Sequence, residues 1–381
     1  MLQELRGLRL KAGPGGFPAL ALKSRWSSLV NAWLSAPLAS PDGGGRGAAF
    51  LGARYPIMGG AMSWVSESGL VAALSNAGAF GVLAGGAFTA EALDREIGLA
   101  RALTDRPFGV NIITFAPHFA AQLEVCLDRR VSHLIIGGGI PGSEVMARAK
   151  QAGARVMAFA ASLAMAERAL RNGTDALIAE GREAGGHVGP VSTAVLMQEL
   201  LPVFDRVPVF IAGGIGRGEM IAHCLRFGAA GCQLGTRFVC AAESRVHPRT
   251  KAAYLRAAGR DAVLSVQLDP SFRVIPVRAL ANAASRAFVE LQRDTIRRCA
   301  EGKIAKPEAQ ALIEHFWAGR LRRAVIEGDV ENGSLMAGQS VEFLHREETV
   351  GEIIAELAAQ AALSGPVPRS FPPHFRPTHA A

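Results

Sequence analysis

Eight times between Tyr55 and Arg237 the chain returns to a short apolar run, one start following the last by a few tens of residues. The runs begin at Tyr55 (YPIM), Phe80 (FGVL), Phe108 (FGVN), His133 (HLII), Arg155 (RVMAF), Ala176 (ALIAE), Val209 (VFIA) and Gly231 (GCQL). Each is too short for a helix and reads as a strand buried on both faces. Helical patterns fill the gaps, among them 90–103, 143–152, 163–172 and 219–227. Gly153, Gly173 and Gly228 stand a few residues before the next strand, where helices commonly stop. An open sheet rarely alternates so evenly. The pattern predicts an α/β fold, a single closed parallel (β/α)8 (TIM) barrel.

Composition limits what surrounds the barrel. In 381 residues only Glu4 and Asp42 are acidic before Arg46, and the segment runs out in Pro41-Asp42-Gly43-Gly44-Gly45. Residues 1–48 read as a flexible extension, with a transit-like leader as the alternative. Residues 364–381, with five prolines, read as a disordered tail. The net charge of +8 is scattered over helix faces, with no basic stripe interleaved with aromatics, which argues against nucleic acid. No apolar run is long enough for a bilayer, so no membrane partner is expected. Five cysteines without a C-x-x-C pair give neither a disulfide framework nor a zinc site, and fit reduced thiols in a cytoplasmic protein.

In a barrel of this kind the ligand sits where the strands end. Those ends read Gly59-Gly60-Ala61-Met62, Gly85-Gly86, Asn111, Gly137-Gly138-Gly139, Ala160-Ala161-Ser162, Glu180 through His187, Gly213-Gly214 and Gly235-Thr236. They are rich in glycine and poor in charge, which lets backbone N–H groups approach a flat ring or a phosphate. The loops after the seventh and eighth runs, Gly213-Gly214-Ile215-Gly216-Arg217-Gly218 and Gly235-Thr236, occupy the usual phosphate position of the fold. The glycine spacing alone is also compatible with a plain turn. Glu180 ends a buried strand, where an unpaired carboxylate is costly, so it needs N–H or hydroxyl donors. Asn111 offers both a donor and an acceptor, or else caps its strand.

His187 is the histidine flanked by glycine at a strand end, in Glu183-Ala184-Gly185-Gly186-His187-Val188-Gly189. A loop imidazole there can move a proton or orient a substrate oxygen, and the competing reading is a surface histidine. His118 could line the same rim; His223 and His247 read as structural.

Six segments carry a resemblance. They are Tyr55 to Trp64, Ser75 to Gly78, Arg106 to Asn111, Glu183 to Gly189, Ala212 to Ile215 and Gly231 to Phe238. In this order they resemble the nitronate monooxygenase (2-nitropropane dioxygenase) family, which includes the flavin-dependent enoyl-ACP reductase II. The resemblance implies FMN, with Gly60, Ala61, Met62 and Asn111 beside the isoalloxazine. It implies Glu180, Gly185 and Gly186 along the ribityl chain, Gly213, Gly214, Gly235 and Thr236 at the phosphate, and His187 as the catalytic histidine. It further implies a barrel over 49–245, a smaller, mainly helical module over 246–329 covering the mouth, and a return to the barrel over 330–363. Two positions depart from the pattern. Many members carry Gln at Gly59, and class I members carry Lys where Ala160-Ala161-Ser162 stands.

Two chemistries follow from the resemblance. Oxidation of an alkyl nitronate by O2 comes first; reduction of an enoyl thioester with NAD(P)H as reductant is the alternative. A sugar-phosphate enzyme on the same fold is less attractive, since Lys and Asp are scarce at the mouth. The expected partner is a small-molecule substrate, with a homodimer left open.

Overall fold

The computed structural model describes residues 45–364, apart from Arg273 and Ala318. Its strands are β1 (Ile57–Gly59), β2 (Phe80–Ala84), β3 (Gly109–Ile113), β4 (His133–Gly137), β5 (Arg155–Ala160), β6 (Ala176–Glu180), β7 (Gly186–His187), β8 (Val209–Ala212) and β9 (Gly231–Leu234). All but β7 close into one parallel barrel, with β9 pairing back on β1. Six of the eight barrel strands start at the expected residue. The first starts later because Pro56 has no N–H for the ladder.

Helices α1 (Arg46–Leu51), α2 (Ser68–Asn76), α3 (Ala90–Leu103), α4 (Phe119–Asp128), α5 (Ser143–Gln151), α6 (Leu163–Arg171), α7 (Thr193–Leu200), α8 (Gly218–Arg226) and α9 (Thr236–Val239) accompany the strands. Their ends are written in the sequence. Thr89, Ser162 and Ser192 cap α3, α6 and α7 with side-chain oxygens. After α5, α6 and α8 the chain turns through Gly153, Gly173 and Gly228, each at a φ near or above +87° that an L side chain resists.

Inward-facing Met58, Phe80, Val82, Ile135, Met157, Ile178 and Phe210 fill the barrel. Leu51 of α1 joins this core, so α1 packs against the barrel. The rest of the expected extension and the tail beyond Ser364 lie outside the described residues. Here the Phe50 ring meets His133 edge-on, and His133 Nε2 lies 2.9 Å from the Phe50 carbonyl oxygen. The 3 % exposed imidazole has its pKa lowered to about 4 by burial.

The chain then builds α10 (Pro248–Arg256), β10 (Ala262–Leu264), β11 (Val277–Leu280), α11 (Ala283–Ala300), α12 (Lys306–Glu314) and α13 (Arg320–Val325). This lid has its own core of Phe272, Val277, Phe288, Ile313 and Trp317. It also contains a three-stranded sheet in the order β10-β11-β7, absent from the sequence reading. Helix α14 (Val350–Leu363) returns to pack on α8 and α2. The buried Arg237 of α9 pairs with Glu348 at 3.1 Å and with Glu356 at 2.6 Å. Among the described residues no helix is long and apolar enough to cross a membrane.

Candidate active site

Side chains alternate along each strand, so every second residue faces the barrel axis. At the upper ends the inward positions are Gly60, Asn111, Phe159, Glu180 and Gln233. Asn111 is buried and its Nδ2 donates to Ile135 O at 3.0 Å, which leaves Oδ1 as an acceptor. Gln233 is buried too, and a Cβ on Gly60 would stand 3.3 Å from its Nε2. Ser66 fixes the loop after β1: its hydroxyl donates to Gly60 O at 2.9 Å and accepts from Met62 N at 3.0 Å. Ala61 packs against the barrel core, and Met62 Sδ lies 3.5 Å from where a Cβ on Gly235 would be. The first and last barrel strands thus present one continuous rim.

Gly59 faces the other way. A Cβ there would lie 2.3 Å from Leu74 Cδ1, outside the barrel, so glycine at this position removes no contact at the mouth. Ser162, at the end of β5, is spent on capping α6.

The Glu180 carboxyl has no hydrogen bond or ion pair to any described residue. Burial alone pushes its carboxyl up to about 8. Between the ordinary 4.5 and about 8 the unfolded chain is ionised while the folded carboxyl keeps its proton, so stability falls as pH rises through that window. Glu180→Gln should therefore stabilise the protein by about 2 kcal/mol near pH 9, after discounting for the solvent that reaches the site, and hardly at all at pH 4. Urea midpoints at the two pH values check this; equal changes at both would contradict it.

His187 sits on β7, not on a free loop. Antiparallel pairing sets His187 opposite Val277 and Gly186 opposite Arg278, and Val188 N donates to Pro276 O at 3.1 Å. Directly opposed residues share a sheet face. The imidazole therefore lies on the same face as Val277, a member of the lid's apolar core. Its ring reaches solvent through the mouth, while the crowded walls lower its pKa below 6.5. Arg278 is buried beneath it, donating from Nε to Arg182 O at 3.0 Å.

The loops expected to hold phosphate meet on the same rim. A Cβ on Gly213 would be 2.8 Å from Gly181 O, and one on Gly214 would be 3.0 Å from Glu183 Cβ. Glu183 in turn accepts from Thr193 N at 2.8 Å and from its hydroxyl at 2.9 Å. The backbone N–H groups of Gly214 and Gly235 meet no acceptor among the described residues. Gly216 and Gly218 serve packing instead: a Cβ would lie 2.2 Å from Phe343 or 2.0 Å from Leu357 O. Gly218 N is taken by Gln360 Oε1 at 2.8 Å, so that end of α8 is not open to a ligand. Thr236 Oγ1 accepts from Gly338 N at 2.9 Å.

His118 is exposed at the start of α4, His223 lies on α8, and His247 caps α10 through Nδ1 at 3.1 Å from Arg249 N. Among the described residues no group of His, Cys, Asp and Glu could hold a metal ion, and no two cysteines form a disulfide. Gln233 and Thr193 were missed in the sequence. Alternation along GCQL would have revealed the first; nothing local marks the second.

This donor set fits FMN: uncharged groups at the barrel axis, an unpartnered carboxyl on β6, and free N–H groups between glycines at one edge. The family model described as nitronate monooxygenase matches residues 46–122 and 113–360. A relative from Rhodococcus jostii (strain RHA1) is 30 % identical over 336 residues, 82 % of this chain and 94 % of its own length. It is named (3aS,4S,5R,7aS)-5-hydroxy-7a-methyl-1-oxo-octahydro-1H-indene-4-carboxyl-CoA dehydrogenase. A nitronate monooxygenase of Paraburkholderia phytofirmans is 29 % identical over 355 residues, 81 % of this chain and 92 % of that one. The solved structure of FabK from Thermotoga maritima superposes with a TM-score of 0.74 at 34 % identity, covering 84 % of this chain and 96 % of the other. With the barrel, the lid and the glycine rim in place, the chain belongs to the nitronate monooxygenase family and is an enzyme of that family.

Proposed function

We propose that this enzyme is an FMN-dependent oxidoreductase acting at a carbon next to the carbonyl of an acyl thioester. The observation that carries the reading is His187, an imidazole on the same sheet face as apolar Val277 whose partial burial lowers its pKa. A neutral imidazole can take a proton from a carbonyl-activated carbon, and the Val277 side of the sheet suits an acyl chain better than a free ion. FMN, when bound, supplies the two-electron redox exchange that no side chain carries. Gly60, Ala61, Met62, Asn111 and Gln233 would hold its ring, and Glu180, Gly185 and Gly186 its ribityl chain. Gly213, Gly214, Gly235 and Thr236 would hold its phosphate. The name of the Rhodococcus relative, a carboxyl-CoA dehydrogenase, supports the substrate class.

Nitronate oxidation by O2, which the sequence puts first, stays as the second reading, favoured by the family model and the Paraburkholderia relative. A nitronate arrives already deprotonated and has no use for a base, so the two readings ask different things of His187. Purified protein should show an oxidised-flavin spectrum and release the chromophore on boiling. Under anaerobic mixing, flavin bleaching by NAD(P)H or by a saturated acyl-CoA is the result expected of the first reading. Persistent colour with both, alongside nitrite release from nitronates in air, would sink it in favour of the second.

A further inference from the structure

Residues 334–339 run from the lid back across the barrel mouth, and nearly every one is fastened. Leu280 N, at the end of β11, donates to Leu335 O at 2.9 Å. The phenol of Tyr254, buried on α10, donates to Met336 O at 3.0 Å. Gly338 N donates to Thr236 Oγ1 at 2.9 Å, and Gln339 N to Glu183 O at 3.0 Å. Between these anchors two backbones touch: a Cβ on Gly185 would lie 2.6 Å from Gly338 N, and one on Gly338 would lie 2.8 Å from Glu183 O. Met336 Sδ stands 3.6 Å from the Cβ position of Gly186, the residue before His187.

We infer that this strap sets the Thr236 hydroxyl, and that Tyr254 is the positioning residue through which the lid holds the strap. A threonine hydroxyl has one proton. Accepting from Gly338 N fixes the oxygen and turns its O–H outward as a donor, and a donor in such a chain is polarised by the bond behind it. Tyr254 holds the carbonyl two residues upstream of Gly338. Without that bond the strap can shift at Gly338 and the Thr236 hydroxyl shifts with it, while β7 keeps its pairing to β11. The inference rests on the reading that Thr236 meets the FMN phosphate.

Riboflavin, which lacks the phosphate, separates the possibilities. The full-length chain is titrated with FMN and with riboflavin, following flavin fluorescence, for the wild type, Tyr254→Phe, Thr236→Val and the double variant. Wild type should prefer FMN by at least about tenfold, the worth of a charge-assisted hydrogen bond. Tyr254→Phe should weaken FMN binding about fivefold, the loss of one buried hydrogen bond, with riboflavin unchanged. The double variant should be no weaker than Thr236→Val alone, since both act through one contact. Equal losses for the two flavins in Tyr254→Phe, or losses that multiply in the double variant, would overturn the role of the strap. A wild type that binds both flavins alike would instead remove the phosphate reading, and the inference with it.

Discussion

His187→Ala should lower turnover of an acyl-thioester substrate by about 10²- to 10⁴-fold, the usual worth of a positioned proton-transfer group. Flavin binding and the thermal midpoint should change little, because the residue is exposed and its ring makes no hydrogen bond among the described residues. The pH profile adds a sharper signature. Burial lowers the pKa of His187 below 6.5, so the proton-accepting form persists to more acidic pH than a free imidazole would allow. The acidic limb of kcat/KM should therefore lie below 6.5 and vanish in His187→Ala. A limb above 6.5 would mean that another group sets it.

Acid should weaken the fold through a different histidine. His133 titrates near 4 when folded and near 6.5 when unfolded. As pH falls below 6.5 the unfolded chain takes up a proton that the folded site refuses, so stability drops until about 4 and then levels. The gap is worth about 3 kcal/mol. His133→Gln keeps a donor for the Phe50 carbonyl and has nothing to titrate. Between pH 7 and pH 4 its urea midpoint should fall less than that of the wild type by this amount; parallel curves would refute the assignment. Glu180 pulls the opposite way, favouring the fold in acid.

How much of this was legible depends on how local each feature is. The barrel strands were readable because each is a short apolar run closed off by its own helix stop, as at Gly153 and Gly173. Asn111, Glu180, Gly213 and Gly235 were readable because strand ends converge in any such barrel. His187 could be picked out by its glycines, yet its strand could not: two residues carry no pattern, and the partner β11 lies some ninety positions on. Gly216 and Gly218 misled for a related reason, since their close neighbours Phe343 and Leu357 come from the far end of the chain. His133 escaped notice because its partner Phe50 falls next to the segment read as a flexible extension.

The helix that completes the outer ring, α14, is also the last described element to leave the ribosome. Until it emerges, Arg237 has no carboxylate from Glu348 or Glu356, and the Gly218 amide has no Gln360. A chain stopped near residue 345 would hold every barrel strand and the whole lid, yet leave a buried guanidinium unpaired and a strip of α8 bare. A chain cut before α14 should thus be more sensitive to protease than one that carries it.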